Sequence, residues 1–286
     1  MSKHSKSRRR RRSVRAAAMF AVLIAAAAFG RARAADLDNS WLRGSFEQVD
    51  EPGYVRWDGL VMGATVGYTN LSTDFGSATG SEVAFILRNS TLQDEFQPSS
   101  WTTLPKNVTD SMQYGGFLGY NWQMEQLVLG VDAGYNRFSL LHTQASDSIT
   151  REVTTSDGVV HDVTLQGTAS LKLVDYATLR GRAGYAFGQF LPYAMLGVAV
   201  GRFNYAISAT VTDVMSGTGT GTFGPVTQTD SQDNVFMAGF LTGLGADVAV
   251  LPNVFLRAEW EYIAWGPVNG IKSSMNTGRV GLALRF

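Results

Sequence analysis

The last twelve residues, Met275-Asn-Thr-Gly-Arg-Val-Gly-Leu-Ala-Leu-Arg-Phe286, constrain the fold more than any other part of the chain. Val280, Leu282, Leu284 and Phe286 alternate with Arg279, Gly281, Ala283 and Arg285. A strand with that period puts the first set on one face and the second on the other. One face is apolar throughout, and the other is small or charged. Lipid on one side and a polar barrel interior on the other produce this contrast. A soluble strand with one wet face alternates in the same way, so a second signal is needed.

The two ends of the chain supply it. Val280, Leu282, Leu284 and Phe286, closing on an aromatic, have the form of the signal read by the machinery that inserts outer-membrane barrels. At the other end, Lys3, Lys6, Arg8 to Arg12 and Arg15 precede an apolar run from Ala16 to Phe29. That run suits a secretory signal and is too short to span a bilayer as a helix. Ala32-Arg-Ala34 has the A-x-A form, so residues 1–34 read as a signal peptide cleaved between Ala34 and Ala35. Arg11-Arg12 also fits a twin-arginine signal, but that route carries folded cargo, which a membrane barrel cannot be.

Removing the signal changes the charge. The chain balances 24 Lys plus Arg against 24 acids, but ten of the basic residues and no acid lie in residues 1–34, which leaves a formal −10 on residues 35–286. An acidic chain argues against nucleic acid as a partner. There is no cysteine, which excludes disulfides, thiolate metal sites and cysteine nucleophiles. No other apolar run is long enough for a transmembrane helix, and 31 glycines suit strands and turns better than helices.

Alternation predicts eight strands. They run near Trp57 to Thr69, Met112 to Trp122, Leu127 to Phe138, Leu173 to Phe187, Leu191 to Phe203, Val235 to Ala249, Val254 to Trp265, and through the C-terminal segment. Leu60, Met62, Val66 and Tyr68 face lipid on the first, and Leu256, Ala258, Trp260 and Tyr262 on the seventh. Tight turns at Gln123 to Gln126, Gly188 to Phe190 and Leu251 to Asn253 alternate with long polar connections over 70–111, 139–172 and 204–234. Short turns at one end and long loops at the other describe an up-and-down antiparallel outer-membrane barrel, with the short turns in the periplasm. Val83 to Leu87 and Ala206 to Val214 are apolar enough for hairpin extensions above the membrane or for loop packing, and a ten-stranded barrel is the alternative. Residues 35–54 read as a periplasmic lead-in and 55–286 as the barrel.

The segments Trp57-Asp-Gly-Leu-Val-Met-Gly, Gly116-Phe-Leu-Gly-Tyr-Asn-Trp-Gln123, Thr178-Leu-Arg-Gly-Arg-Ala-Gly-Tyr-Ala-Phe187 with Leu191-Pro-Tyr193, and Asn253-Val-Phe-Leu-Arg-Ala-Glu-Trp-Glu-Tyr262 carry a resemblance. On them the chain resembles the small outer-membrane β-barrel proteins of alphaproteobacteria, called porin-family or opacity-like. The resemblance implies eight strands with surface loops, and no catalytic residue or cofactor. The first loop, about forty residues, departs from the shorter loops usual there.

By the same alternation, Asp132, Asp247, Glu259 and Glu261 face inward with Arg180, Arg182, Arg257, Arg279 and Arg285. An eight-stranded barrel is only wide enough for side chains to fill, so these charges must pair. A plug of paired charges is the leading expectation; a narrow ion path is the alternative, and Glu259 with Glu261 as a catalytic pair the least favoured. His142, with Ser139 and Ser146 near it, is the candidate for a lipid A-modifying site, against a solvated loop histidine. His161 beside Asp162 is weak as a metal ligand. Tyr68, Tyr114, Trp122, Tyr135, Tyr185, Trp260, Tyr262 and Phe286 read as interfacial girdles. Thr218 to Thr222 is a flexible Gly/Thr loop without the ending of a phosphate-binding loop. Asp213, Asp230 and Asp233 follow Arg202 in the acidic third loop, which solvation explains better than cation binding. The expectation is therefore a non-enzymatic outer-membrane protein without cofactor, in contact with lipid and lipopolysaccharide, that displays its loops for surface contact; a small-solute pore comes second.

Overall fold

The computed structural model describes residues 55–101 and 104–286. The signal segment 1–34, its cleavage point at Ala34 and Ala35, and the lead-in 35–54 lie outside the described residues. Eight strands follow in order: β1 Gly59–Asp74, β2 Asn107–Met124, β3 Leu127–Thr154, β4 Val159–Tyr185, β5 Phe190–Gly217, β6 Gly221–Leu251, β7 Val254–Trp265 and β8 Lys272–Arg285. Each pairs antiparallel with the next, and β8 returns to β1 from Val61↔Arg285 to Asp74↔Lys272, closing the ring. The ten-stranded alternative is thus corrected to eight.

The alternation read from the sequence matches the faces. Leu60, Met62, Val66 and Tyr68 on β1, Leu129 and Val131 on β3, Leu196, Val198 and Val200 on β5, and Leu256 and Trp260 on β7 point outward and are exposed. Inward positions at the short-turn end hold Trp57, Val128, Leu191 and Phe255, all buried.

Two of the expected loops are corrected to strands. β3, β4, β5 and β6 have 28, 27, 28 and 31 residues. At about 3.3 Å per residue they reach roughly 90 Å, against the 9–11 residues that cross a bilayer. Segments 139–172 and 204–234 are therefore two hairpins whose strands continue the barrel. They pair with each other as well, from Leu173↔Phe203 to Val159↔Gly217, so β3 to β6 form a four-stranded wall beyond the ring. Inward positions on the wall are mostly apolar: Leu165, Leu171, Phe203, Ile207 and Val211 are fully buried. Outward positions become polar, as with Gln166, Thr168, Ser170 and Lys172 on β4. The period is unchanged; what changes is the medium outside, from lipid to water. A search for apolar outward residues ends each strand at that boundary.

Register shifts between Arg137 and Leu141 on β3, between Leu173 and Asp175 on β4, and between Phe203 and Tyr205 on β5 fall at the level where the wall leaves the ring. A bulge bends and twists its strand, and here three neighbours bend together. Past the shift on β4, Tyr176 points inward, while Asp175 stays on the outer face, buried beside Arg202.

Between β1 and β2 the chain forms α1 (Gly80–Ile86), α2 (Thr91–Phe96) and a 3-10 turn, Pro98–Ser100. Val83 to Leu87 thus belongs mainly to a helix, which corrects the extended reading. Val83 and Leu87, four apart and on one helical face, bury with Leu92 against Val163, Leu165, Ala209 and Val211 of the wall. Ser90 caps α2 by accepting the Gln93 N–H at 3.1 Å. The apolar run that resembled a strand is short because only one helical turn meets the wall. Leu165→Ala should loosen this seat by about 2–5 kcal/mol; limited proteolysis should then cut within 80–100 while the barrel keeps its heat-modifiable gel mobility.

Candidate functional site

The inward residues at mid-height form one charge cluster. Arg257 lies 2.7 Å from Asp247, and Arg182 lies 3.1 Å from the same carboxylate. Arg279 bridges Glu259 at 2.5 Å and Glu261 at 2.8 Å. Arg180 reaches the same two acids at 3.2 and 3.4 Å. Asp132 sits where three guanidinium groups converge, 3.6 Å from Arg180, 3.8 Å from Arg182 and 3.5 Å from Arg257. All eight residues are buried. Four acids face four arginines, so the cluster is formally neutral, as a low-dielectric site requires.

Arg285 is not part of it. It lies at the short-turn rim, where it donates to the carbonyl oxygens of Arg56 and of Pro252 and, at 2.9 Å, to Asn253 Oδ1. The expectation that it joins the interior network is corrected: β8 has reached the end of the ring there, and the side chain turns to the carbonyl oxygens at the rim.

Sequence reasoning left four members out of the network. Tyr193 Oη donates to Glu259 at 2.7 Å, and Tyr176 Oη to Gln113 Oε1 at 3.0 Å and to Glu261 at 3.2 Å. Arg182 donates from two nitrogens to Asn121 Oδ1. Parity already put these four side chains inward; only a search confined to charged residues misses them. Glycine makes room for the cluster. A Cβ at Gly119 would overlap the Asp132 carboxylate, and one at Gly245 would lie 2.6 Å from the Tyr193 ring.

Apolar layers close the cluster above and below. On the short-turn side Trp57 packs on Phe255 with ring centroids 4.8 Å apart. On the long-hairpin side Phe138 stacks on Tyr176 at 5.6 Å, and Phe203 meets Trp265 edge-on at 5.2 Å. Glu259 and Glu261 lie between these layers, each held by arginine, so neither has the access a catalytic pair requires.

The remaining candidates separate cleanly. His142 is exposed on the outer face of β3, opposite Lys172, and has no hydrogen-bond partner among the described residues. His161 is different: its Nδ1 lies 2.7 Å from Asp213 Oδ2, and both residues are buried. That partner is 52 residues away in the chain, whereas Asp162, its sequence neighbour, is exposed on the opposite face. Among the described residues no cluster of three potential ligands could hold a metal. Asp230 accepts from Tyr205 at 3.1 Å and from Asn269 at 2.7 Å, and Asp175 pairs with Arg202. The Thr155 hydroxyl and the Val159 N–H hold the Asp157 carboxyl below the usual carboxylate range at the β3–β4 turn. The girdle residues Tyr68, Tyr114, Trp122, Tyr135, Tyr185, Trp260 and Phe286 are exposed on the outer face, and Tyr262 is half-buried.

The cluster makes a quantitative demand. Glu259→Ala leaves Arg279 and Arg180 short of a partner and should cost about 3–5 kcal/mol. Arg285→Ala, at the wet rim, should cost about 1 kcal/mol or less. Urea unfolding in lipid vesicles, followed by tryptophan emission, gives both values; equal costs would sink the assignment of Arg285 to the rim.

No curated protein matches the sequence. Among solved structures, the chain is similar to the attachment invasion locus protein Ail of Yersinia pestis, at 13% identity over 80% of this chain and 99% of that one, with a TM-score of 0.34. It is similar to Neisserial surface protein A at 13% identity over 80% and 97%, TM-score 0.34, and to the outer membrane protease OmpT of Escherichia coli at 8% identity over 80% and 97%, TM-score 0.29. The family model described as outer membrane protein beta-barrel domain matches residues 16–286. With the closed eight-stranded ring and its lipid-facing band, this chain belongs to the outer membrane β-barrel family and is an integral protein of the bacterial outer membrane.

Proposed function

We propose that this is a surface-interaction protein of the cell envelope, without enzymatic activity, of the porin-family or opacity-like group of alphaproteobacteria. One observation carries the reading: a filled ring continues into a four-stranded wall that stands outside the membrane. A barrel kept for transport needs its lumen, and here arginine–carboxylate pairs and two apolar layers occupy it. A barrel kept only as an anchor does not need strands of nearly thirty residues.

The wall suits contact with other surfaces. β2 pairs with β3 no higher than Gln113↔Phe138, and β7 pairs with β6 no higher than Gly239↔Trp265. Above those levels the outer edges of β3 and β6 have no partner strand among the described residues; on β3, Ser111 accepts from Leu140 N–H and Asn107 donates to the Gln144 carbonyl, and above Gln144 the edge is open to water or to a bound chain. Pairs of hydroxyls cross the outward face, Thr210 with Thr227 at 2.8 Å, Ser208 with Thr229 at 3.1 Å and Thr150 with Thr164 at 2.9 Å, which makes a hydrated face. In this reading lipid and lipopolysaccharide surround the apolar band, the barrel-insertion machinery recognises Val280, Leu282, Leu284 and Phe286, and nucleic acid is not a partner.

The test removes the wall and leaves the ring. Residues 146–168 and 207–230 are deleted, and each gap is closed by a two-residue turn across Ala145↔Ala169 and Ala206↔Ser231, which keeps the register. The shortened protein should insert and keep heat-modifiable mobility, while cells carrying it lose attachment to surfaces that the full-length protein supports. Both forms should be silent in a planar bilayer. Reproducible conductance steps from the full-length protein would overturn the reading in favour of a small-solute pore.

A further inference from the structure

We propose that the cleft between α1, α2 and the wall is a binding site for a small neutral aromatic hydroxyl compound, whose hydroxyl donates to His161 Nε2. The cleft has a volume of about 300 Å³ and is walled by Leu87, Leu92, Met215 and Phe223, with His161 and Asp213 at its base. It lies on the water side of the apolar band, away from the charge cluster in the ring, and differs in kind from the macromolecular contact assigned to the wall.

The polar base is built. An ionised carboxylate accepts and does not donate, so the 2.7 Å contact puts a proton on His161 Nδ1 and fixes the ring's orientation. In the neutral imidazole this leaves Nε2 as a lone-pair acceptor, and among the described residues nothing hydrogen-bonds to it. Asp213 is 4% exposed and its second oxygen, Oδ1, is buried without a hydrogen-bond partner. A buried carboxylate with one unused oxygen is costly for a wall of this size, and the imidazole it orients is its only hydrogen-bonding partner among the described residues.

The surroundings select the ligand. A thioether and a phenyl ring, Met215 and Phe223, favour an aromatic body, because sulfur and ring edges attract aromatic rings. The volume is at the lower end of small-molecule sites, which suits a single ring. Asp157 and Asp213 both line the cleft, against Arg88 at its edge, whose Nη1 already donates to the Phe85 carbonyl at 2.8 Å and whose guanidinium lies over the Phe85 ring. Two carboxylates disfavour a ligand acid. Asp213 Oδ1 is sealed from the cleft and so offers no direct seat for an ammonium group.

The experiment uses residues 35–286 refolded in lipid nanodiscs, with 15N-labelled histidine. Two histidines remain, His142 and His161, and His142→Gln assigns them. The probes are 4-methylphenol, toluene and 4-methylbenzylamine. The phenol should move the His161 Nε2 resonance saturably, leave His142 unmoved, and bind about tenfold more tightly than toluene, the worth of one hydrogen bond. Asp213→Asn should weaken the phenol to the level of toluene. Met215→Trp, which fills the cleft from the position opposite His161 on β5, should abolish the phenol-induced shift while the protein keeps heat-modifiable mobility. The site is overturned if the phenol moves His142 and His161 alike, if toluene matches it, if the amine displaces it, or if Met215→Trp leaves the shift in place.

Discussion

Closure of the strand ring is the constraint on which everything else depends. In hydrocarbon no water satisfies a free N–H or C=O, so a sheet can enter the membrane only when its first and last strands pair. The β1–β8 ladder from Val61↔Arg285 to Asp74↔Lys272 provides that pairing. Eight strands then fix a narrow interior. A narrow interior admits charge only as compensated pairs, and the pairs exclude water from mid-height. Outside the membrane the constraint lifts: water can serve free edges, and there β3 and β6 run on with a strand on one side only.

The interior balances opposing demands. Eight buried charges are a poor source of net stability, since desolvation offsets most of their attraction. What they provide is register. Asp247 meets Arg257 directly across β6 and β7, and Glu259 meets Arg279 across β7 and β8. Asp132 meets Arg180 across β3 and β4. A slip of one residue on any of these ladders would turn a charge into lipid, so the wrong closures are penalised far more than the right one is rewarded.

Most of the ring was legible in the chain, because period-2 alternation needs only the contrast between the two faces. Val254 to Trp265 is read to the residue. Of the wall only Ala206 to Val214 was legible, as a hairpin extension; on Gln166, Thr168 and Ser170 the outward contrast inverts and the pattern resembles an ordinary polar loop. Arg285 was misplaced because parity gives a face and not a height, and at the rim a face no longer decides the environment. The His161–Asp213 pair was invisible for a third reason. It joins β4 to β5 diagonally, between the His161↔Met215 and Val163↔Asp213 pairs of the wall, and strands read as loops have no register from which to infer contacts. A search for inward polar residues at even spacing along 159–217, once the strands are granted, finds both.

The wall also has mechanical meaning. Its strands are the barrel's strands, continued without a linker from the lipid band to the tip. A load applied at the β3–β4 or β5–β6 turn pulls along strands whose ladders resist in shear, each hydrogen bond sharing the force, where a hinged loop would yield first at its base. Orientation is fixed in the same way. A flexible tether explores a volume and gives up that freedom when it binds; a stalk rigid with the membrane has little to give up. Such a contact is limited by how two surfaces approach and align, and the height of the wall sets the gap at which they meet.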